Sequence, residues 1–176
     1  MVRWRVTAAS GGPVQEPGAS HRRYACGMKY QTVAVIGTGV IGASWATCFL
    51  ARGLDVVATD PAPGAEERMR AQVAAQWPGA AALGLAAGAS PDRLRFVPDP
   101  RDAVRDADFV QENGPERVDF KRSLFAVLDT AARPDVVLAS SSSGIPASQF
   151  QDVCRHPERV LVLGCGSVAQ CVVPLL

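Results

Sequence analysis

Histidine is scarce in this 176-residue chain: only His21 and His156 occur, and no histidine follows position 156. The five cysteines (Cys26, Cys48, Cys154, Cys165 and Cys171) are scattered, odd in number and form no C-x-x-C pair. That pattern argues against both a disulfide framework and a zinc site, so no metal is expected. Scattered reduced thiols suit a cytoplasmic protein, which is the expected compartment. Charge is nearly balanced, at a formal net +1. Nothing in the bulk electrostatics calls for nucleic acid or an anionic membrane as a partner. No apolar run approaches the roughly 20 residues that span a bilayer, so no membrane partner is expected either. The length fits one ordinary domain with a proper core.

Residues 1–28 differ from the rest. They hold Gly11-Gly12-Pro13, Pro17-Gly18, arginines at Arg3, Arg5, Arg22 and Arg23, one acid (Glu16) and no apolar periodicity. An unstructured or artefactual extension is expected there. An organellar transit peptide would show amphipathic spacing, and a secretory signal a continuous apolar stretch. Translation beginning at Met28 is a further alternative.

From Gln31 the chain becomes regular. Thr32–Ile36 is a short β-branched run ending in glycine, as a strand buried on both faces requires. A helix is expected over Val40–Arg52, with Gly53 closing it. The next strand is Asp55–Thr59. A polar–apolar helix follows over Ala65–Trp77, then an alanine- and glycine-rich stretch from Gly79 to Gly88. Leu94–Val97, Asp108–Glu112 and Val136–Ala139 read as three more strands, with helices at 101–105 and 116–132 between them, and a sixth strand is expected near Val160–Leu163. Strands alternating with helices imply β-α-β units and a doubly wound, mostly parallel α/β sheet with helices on both faces.

Within that frame lies Gly37-Thr38-Gly39-Val40-Ile41-Gly42, a G-x-G-x-x-G turn between the first strand and its helix. Gly37 permits the tight turn, Gly39 lets the backbone approach a pyrophosphate, and Gly42 lets helix and strand pack closely. The helix N-terminus adds free N–H groups and a positive dipole end. Asp60 stands about 20 residues on, at the end of the next strand, where a carboxylate accepts ribose hydroxyls and repels a 2′-phosphate. The expected cofactor is NAD, held by Gly37, Thr38, Gly39, Val40, Ile41, Gly42 and Asp60 in a Rossmann domain over residues 29–163.

These motifs, with Asp108-Phe109-Val110-Gln111-Glu112 and the Ser140–Gly144 run, make the chain from about Lys29 to Val162 resemble the NAD-binding domain of the L-3-hydroxyacyl-CoA dehydrogenase family. Arg52-Gly53-Leu54-Asp55, Asp60-Pro61-Ala62-Pro63-Gly64 and Pro115-Glu116-Arg117 make it look most like the L-carnitine dehydrogenase branch. The resemblance implies an NAD-dependent oxidoreductase acting on a small 3-hydroxy substrate of carnitine or acyl-CoA type, part of fatty acid metabolism. It implies Glu112 beside the nicotinamide and Ser143 bonded to the reacting oxygen as catalytic residues. Ser141 stands where many relatives carry asparagine. Lys121 matches family lysines that reach cofactor or substrate, with a helix-surface lysine as its alternative.

Where relatives continue from the sixth strand into the catalytic histidine and an asparagine–proline pair, this chain reads Leu163-Gly164-Cys165-Gly166-Ser167. His156 is expected to be a loop histidine rather than the general base. Gly164–Ala169 is instead a second G-x-G-x-x-A turn, and residues 164–176 resemble the start of a Rossmann domain of the saccharopine dehydrogenase or homospermidine synthase kind. The expectation is a cofactor-binding half that departs from its family ahead of the catalytic base, without the helical C-terminal domain through which family members form homodimers. The other reading is a non-catalytic nucleotide-binding module, or the partner of a separate helical subunit.

Overall fold

A computed structural model describes residues 30–164. The expectations for residues 1–28 and for the tail beyond Gly164 lie outside the described residues.

Six strands, β1 (Thr32–Ile36), β2 (Asp55–Thr59), β3 (Leu94–Phe96), β4 (Phe109–Glu112), β5 (Val137–Ser140) and β6 (Val160–Val162), pair in parallel in the order β3-β2-β1-β4-β5-β6. The chain runs outward one way from β1 and then returns to start the other half at β4. A crevice therefore opens at the carboxyl ends of β1 and β4, where ligands of such sheets bind.

Alternation along the strands divides the interior in two. Val33 and Val35 of β1 face α1 (Val40–Ala51) and α2 (Ala65–Leu83), packing with Trp45, Phe49, Leu50 and Met69. Ala34 and Ile36 face the other way, toward α3 (Pro100–Val104) and α4 (Val118–Ala131), with Val104, Phe125, Leu128 and Phe150. Both faces being covered explains why the strands read as near-continuous apolar runs.

The helix expected to stop at Trp77 continues through Pro78 to Leu83. Proline forfeits one N–H bond, to the carbonyl of Ala74, while Ala80-Ala81-Ala82 has the highest helix propensity available. The added turn lies outside the core, with Leu83 91% exposed, so nothing forces the chain to turn back at the proline. It stops at Gly84, whose φ of 101° ends the helix. Between β5 and β6 the chain makes three single 3₁₀ turns, at Ala147–Gln149, Gln151–Val153 and Pro157–Arg159, that short irregular sequence does not announce. No helix among the described residues is long and apolar enough to cross a membrane.

Candidate cofactor site

The turn between β1 and α1 has three glycines with three separate constraints. Gly37 has φ 86°, and a Cβ there would lie 2.9 Å from the Asn113 carbonyl carbon. A Cβ on Gly42 would lie 2.0 Å from the Gly37 carbonyl oxygen, an impossible distance. Around Gly39 nothing comes within 4 Å, so that face of the turn is open to a ligand. Helix α1 begins directly on Gly39 with no side-chain cap and no acid in its first turn. Its leading N–H groups are left for an anion. Val40 and Ile41 are exposed beside them.

Asp60 is fixed before any ligand arrives. Its Oδ2 accepts from the Thr38 N–H at 2.8 Å and the Thr38 hydroxyl at 3.1 Å, and its Oδ1 accepts from the Ala62 N–H at 2.9 Å. Together with Gly37 and Gly39 it borders a cleft of about 580 Å³, whose other walls include Pro61, Pro98, Asn113, Gly114, Phe120 and Leu124. That size falls within the roughly 300–1,000 Å³ of small-molecule sites, and the apolar walls with few polar groups match their usual make-up. An open glycine beside an uncapped helix N-terminus suits a pyrophosphate, and the pre-set carboxylate suits a ribose diol; the residues present fit NAD.

Glu112 and Lys121 form a buried pair beside the loop that walls the cleft. Glu112 is 0% and Lys121 1% exposed, and neither borders the cleft. The Lys121 Nζ donates to Glu112 Oε2 at 2.8 Å and to the Ser140 Oγ at 3.2 Å. Ser140 in turn donates to Glu112 Oε2 at 2.5 Å, and Glu112 Oε1 accepts from the Gly114 N–H at 2.6 Å. The helix-surface reading of Lys121 is thus corrected. A buried carboxylate demands a partner, and the first turns of α4 lie over the end of β4 where Glu112 needs one.

Of the serine run, Ser143 is exposed, and its hydroxyl engages no other group among the described residues. Ser141 is buried and turned inward, accepting from Trp45 Nε1 at 3.0 Å and Gln111 Nε2 at 2.9 Å and bonding Asn113 Oδ1 at 2.6 Å. Glu116 reaches back to the same loop. Partial burial pushes its carboxyl up, but hydrogen bonds from Ser142, Gly144 and Ser143 and the Lys121 charge more than reverse this, so it lies below the usual glutamate range. His156 precedes β6, at the amino end of that edge strand and so on the other side of the sheet from the crevice, half-exposed, with its Nδ1 3.4 Å from Glu158. It cannot reach the cleft.

The loop Asn113-Gly114-Pro115 is not among the site residues the sequence points to, yet it walls the cleft. A Cβ on Gly114 would lie 2.5 Å from the Phe120 ring and 2.8 Å from Glu112 Oε1. Its signal was available: a glycine–proline loop at the carboxyl end of the strand that pairs with β1.

Known proteins share this arrangement. Residues 32–165 match the model of the 3-hydroxyacyl-CoA dehydrogenase NAD-binding domain. An L-carnitine dehydrogenase of Pseudomonas aeruginosa is 54% identical over 132 residues, covering 75% of this chain and 41% of that protein. One from Streptomyces coelicolor is 52% identical over 130 residues, covering 74% of this chain and 41% of its own. The chain therefore spans about 41% of the length of the curated relatives it matches. Among solved structures, 3-hydroxybutyryl-CoA dehydrogenase from Escherichia coli K12 superposes with a TM-score of 0.71 at 31% identity, over 81% of this chain and 31% of that one. The NAD+-dependent 5-formyl-3-hydroxy-2-methylpyridine 4-carboxylic acid 5-dehydrogenase gives 0.72 at 33%, over 79% and 45%. With the β1/β4 crevice, the glycine turn and Asp60 in place, the chain belongs to the 3-hydroxyacyl-CoA dehydrogenase family of oxidoreductases, and residues 32–165 are its NAD-binding domain.

Proposed function

We propose that this chain supplies the NAD-binding half of an enzyme that oxidises a small 3-hydroxy substrate of the L-carnitine kind. The identity of about half its residues with L-carnitine dehydrogenases, over 132 positions, carries the choice of substrate. In such a reaction the C–H hydride of a secondary alcohol goes to the nicotinamide ring of bound NAD+, and the hydroxyl proton goes to a base. Gly37–Gly42 and the start of α1 would hold the pyrophosphate, and Asp60 the adenosine ribose. The exposed Ser143 hydroxyl would bond the reacting oxygen. Glu112 and Lys121 would serve from beneath, by tying β4, β5 and α4 together under the cleft floor, rather than by touching the cofactor.

His156 is the one histidine among the described residues, and it lies before β6, at the amino end of that strand, whereas the crevice opens at the carboxyl ends. We therefore propose that the 176-residue chain binds NAD but oxidises L-carnitine little or not at all by itself. Dimerisation through a helical portion would belong to the family's longer members. NADH fluorescence titration and an L-carnitine-dependent NADH assay test the two halves of the reading. Saturable NADH binding with negligible turnover is expected, and robust turnover by the chain alone would overturn the assignment of a base outside it.

A further inference from the structure

Glu116 has no part in the cofactor turn, yet it organises the loop that leaves β5. Its Oε1 accepts from the Ser142 hydroxyl at 2.7 Å, the Ser143 N–H at 3.1 Å and the Gly144 N–H at 2.7 Å. Two successive backbone N–H groups and a hydroxyl converging on one oxygen form an anion-binding concavity, filled here by the chain's own carboxylate. The other end of the loop is held independently: the Ser142 N–H donates to the Ser140 Oγ at 3.2 Å, and the Ser141 N–H to the Glu112 carbonyl at 2.8 Å. The backbone from Ser140 to Gly144 is thus pinned at both ends, while the Ser143 hydroxyl is left unused among the described residues. Such charge-assisted bonds are roughly twice as strong as neutral ones. A carboxylate held below the usual range keeps its charge at neutral pH.

We propose that Glu116 is a positioning residue, whose carboxylate locks the Ser142–Gly144 backbone so that the Ser143 hydroxyl is presented to the substrate oxygen. The lock stands on the hydrogen bonds alone; the purpose assigned to it rests on the reading of Ser143 given under Proposed function.

Amide hydrogen exchange by NMR on the full chain tests the lock, with Glu116→Ala and Glu116→Gln as variants. Glu116→Ala should speed exchange at Ser143 and Gly144 by about tenfold, the loss of roughly one net hydrogen bond each. Ser141, bonded to the Glu112 carbonyl, should exchange unchanged, which general loosening of the fold would not allow. Glu116→Gln keeps an acceptor oxygen and should recover most of the protection. Unchanged exchange at Ser143 and Gly144 in Glu116→Ala, or equal acceleration at Ser141, would overturn the lock. L-carnitine titrated into the NAD+-saturated chain tests the purpose. The Ser143 amide signal should shift in the wild type and in Glu116→Gln and stay still in Glu116→Ala. If the wild-type signal does not move while the exchange pattern is as expected, the lock stands, but the assignment of Ser143 and the positioning role fall.

Discussion

Gly39 and Gly42 share one turn but are glycine for opposite reasons, and substitution separates them. Gly39→Ala adds a methyl where nothing lies within 4 Å and where φ is an ordinary −63°. The fold should tolerate it, with the melting temperature nearly unchanged. The methyl intrudes where the pyrophosphate approaches, so NADH affinity should fall about tenfold or more, a loss near 1.4 kcal/mol. Gly42→Ala instead drives a Cβ to 2.0 Å from the Gly37 carbonyl. It should lower both the melting temperature and the affinity. Thermal unfolding and NADH titration of the two variants side by side check this. These roles were legible in the sequence because glycine spacing reports directly on backbone geometry. The inward turn of Ser141 was not, since four adjacent serines look alike until Trp45 and Gln111 select one of them.

Lys121 shows what the element scale adds. It lies nine residues beyond Glu112, across a loop and the first turn of α4. Only the docking of α4 on the sheet brings the two charges to 2.8 Å. The apolar spacing of α4 was readable in Phe125 and Leu128, but a lysine among them reads as solvated until its carboxylate is located. Removing one partner leaves the other charge buried and unpaired, which costs roughly 3–5 kcal/mol. Lys121→Met should therefore lower the urea-unfolding free energy by about that amount. Adding Glu112→Gln to Lys121→Met should recover most of it, because no naked charge then remains. If the double variant were as unstable as the single, the pair would not be the reason for the loss. Helix α2 teaches the converse. The helix expected over Ala65–Trp77 runs on through Pro78, because one lost hydrogen bond on an exposed helix end does not outweigh the following alanines.

At the scale of the whole molecule, two buried or half-buried carboxylates tie distant segments together and set its acid sensitivity. Burial pushes Asp129 up, but the Arg159 guanidinium and the Arg155 N–H outweigh it and hold the carboxyl below the usual range. This joins α4 to the approach to β6. Asp108, raised by burial and lowered further by the Gln31 and Thr32 N–H groups and Arg133, joins the start of β1 to the segment after α4. A carboxyl whose pKa is lower in the folded chain than in the unfolded one contributes its full stabilisation above the unfolded value, near 3.9, and loses it as pH falls through the folded value. The urea midpoint should drop as pH is taken from about 6 to below about 4. Asp129→Asn should start lower at the higher pH and lose less on acidification.

The doubly wound sheet itself was legible from alternating β-branched runs and helices, since strands covered on both faces leave that pattern in any sequence. The strand order was not, because each strand is equally apolar and only packing decides its neighbours. That order places β1 between β2 and β4 and so puts Gly39, Asp60 and Asn113 on one crevice. That crevice should select NAD over NADP through Asp60. Fluorescence titration of the full 176-residue chain with NADH and with NADPH measures it. Saturable NADH binding should be lost or much weakened with NADPH, whose 2′-phosphate would meet the Asp60 carboxylate. Equal affinity for the two, or binding of neither, would contradict it.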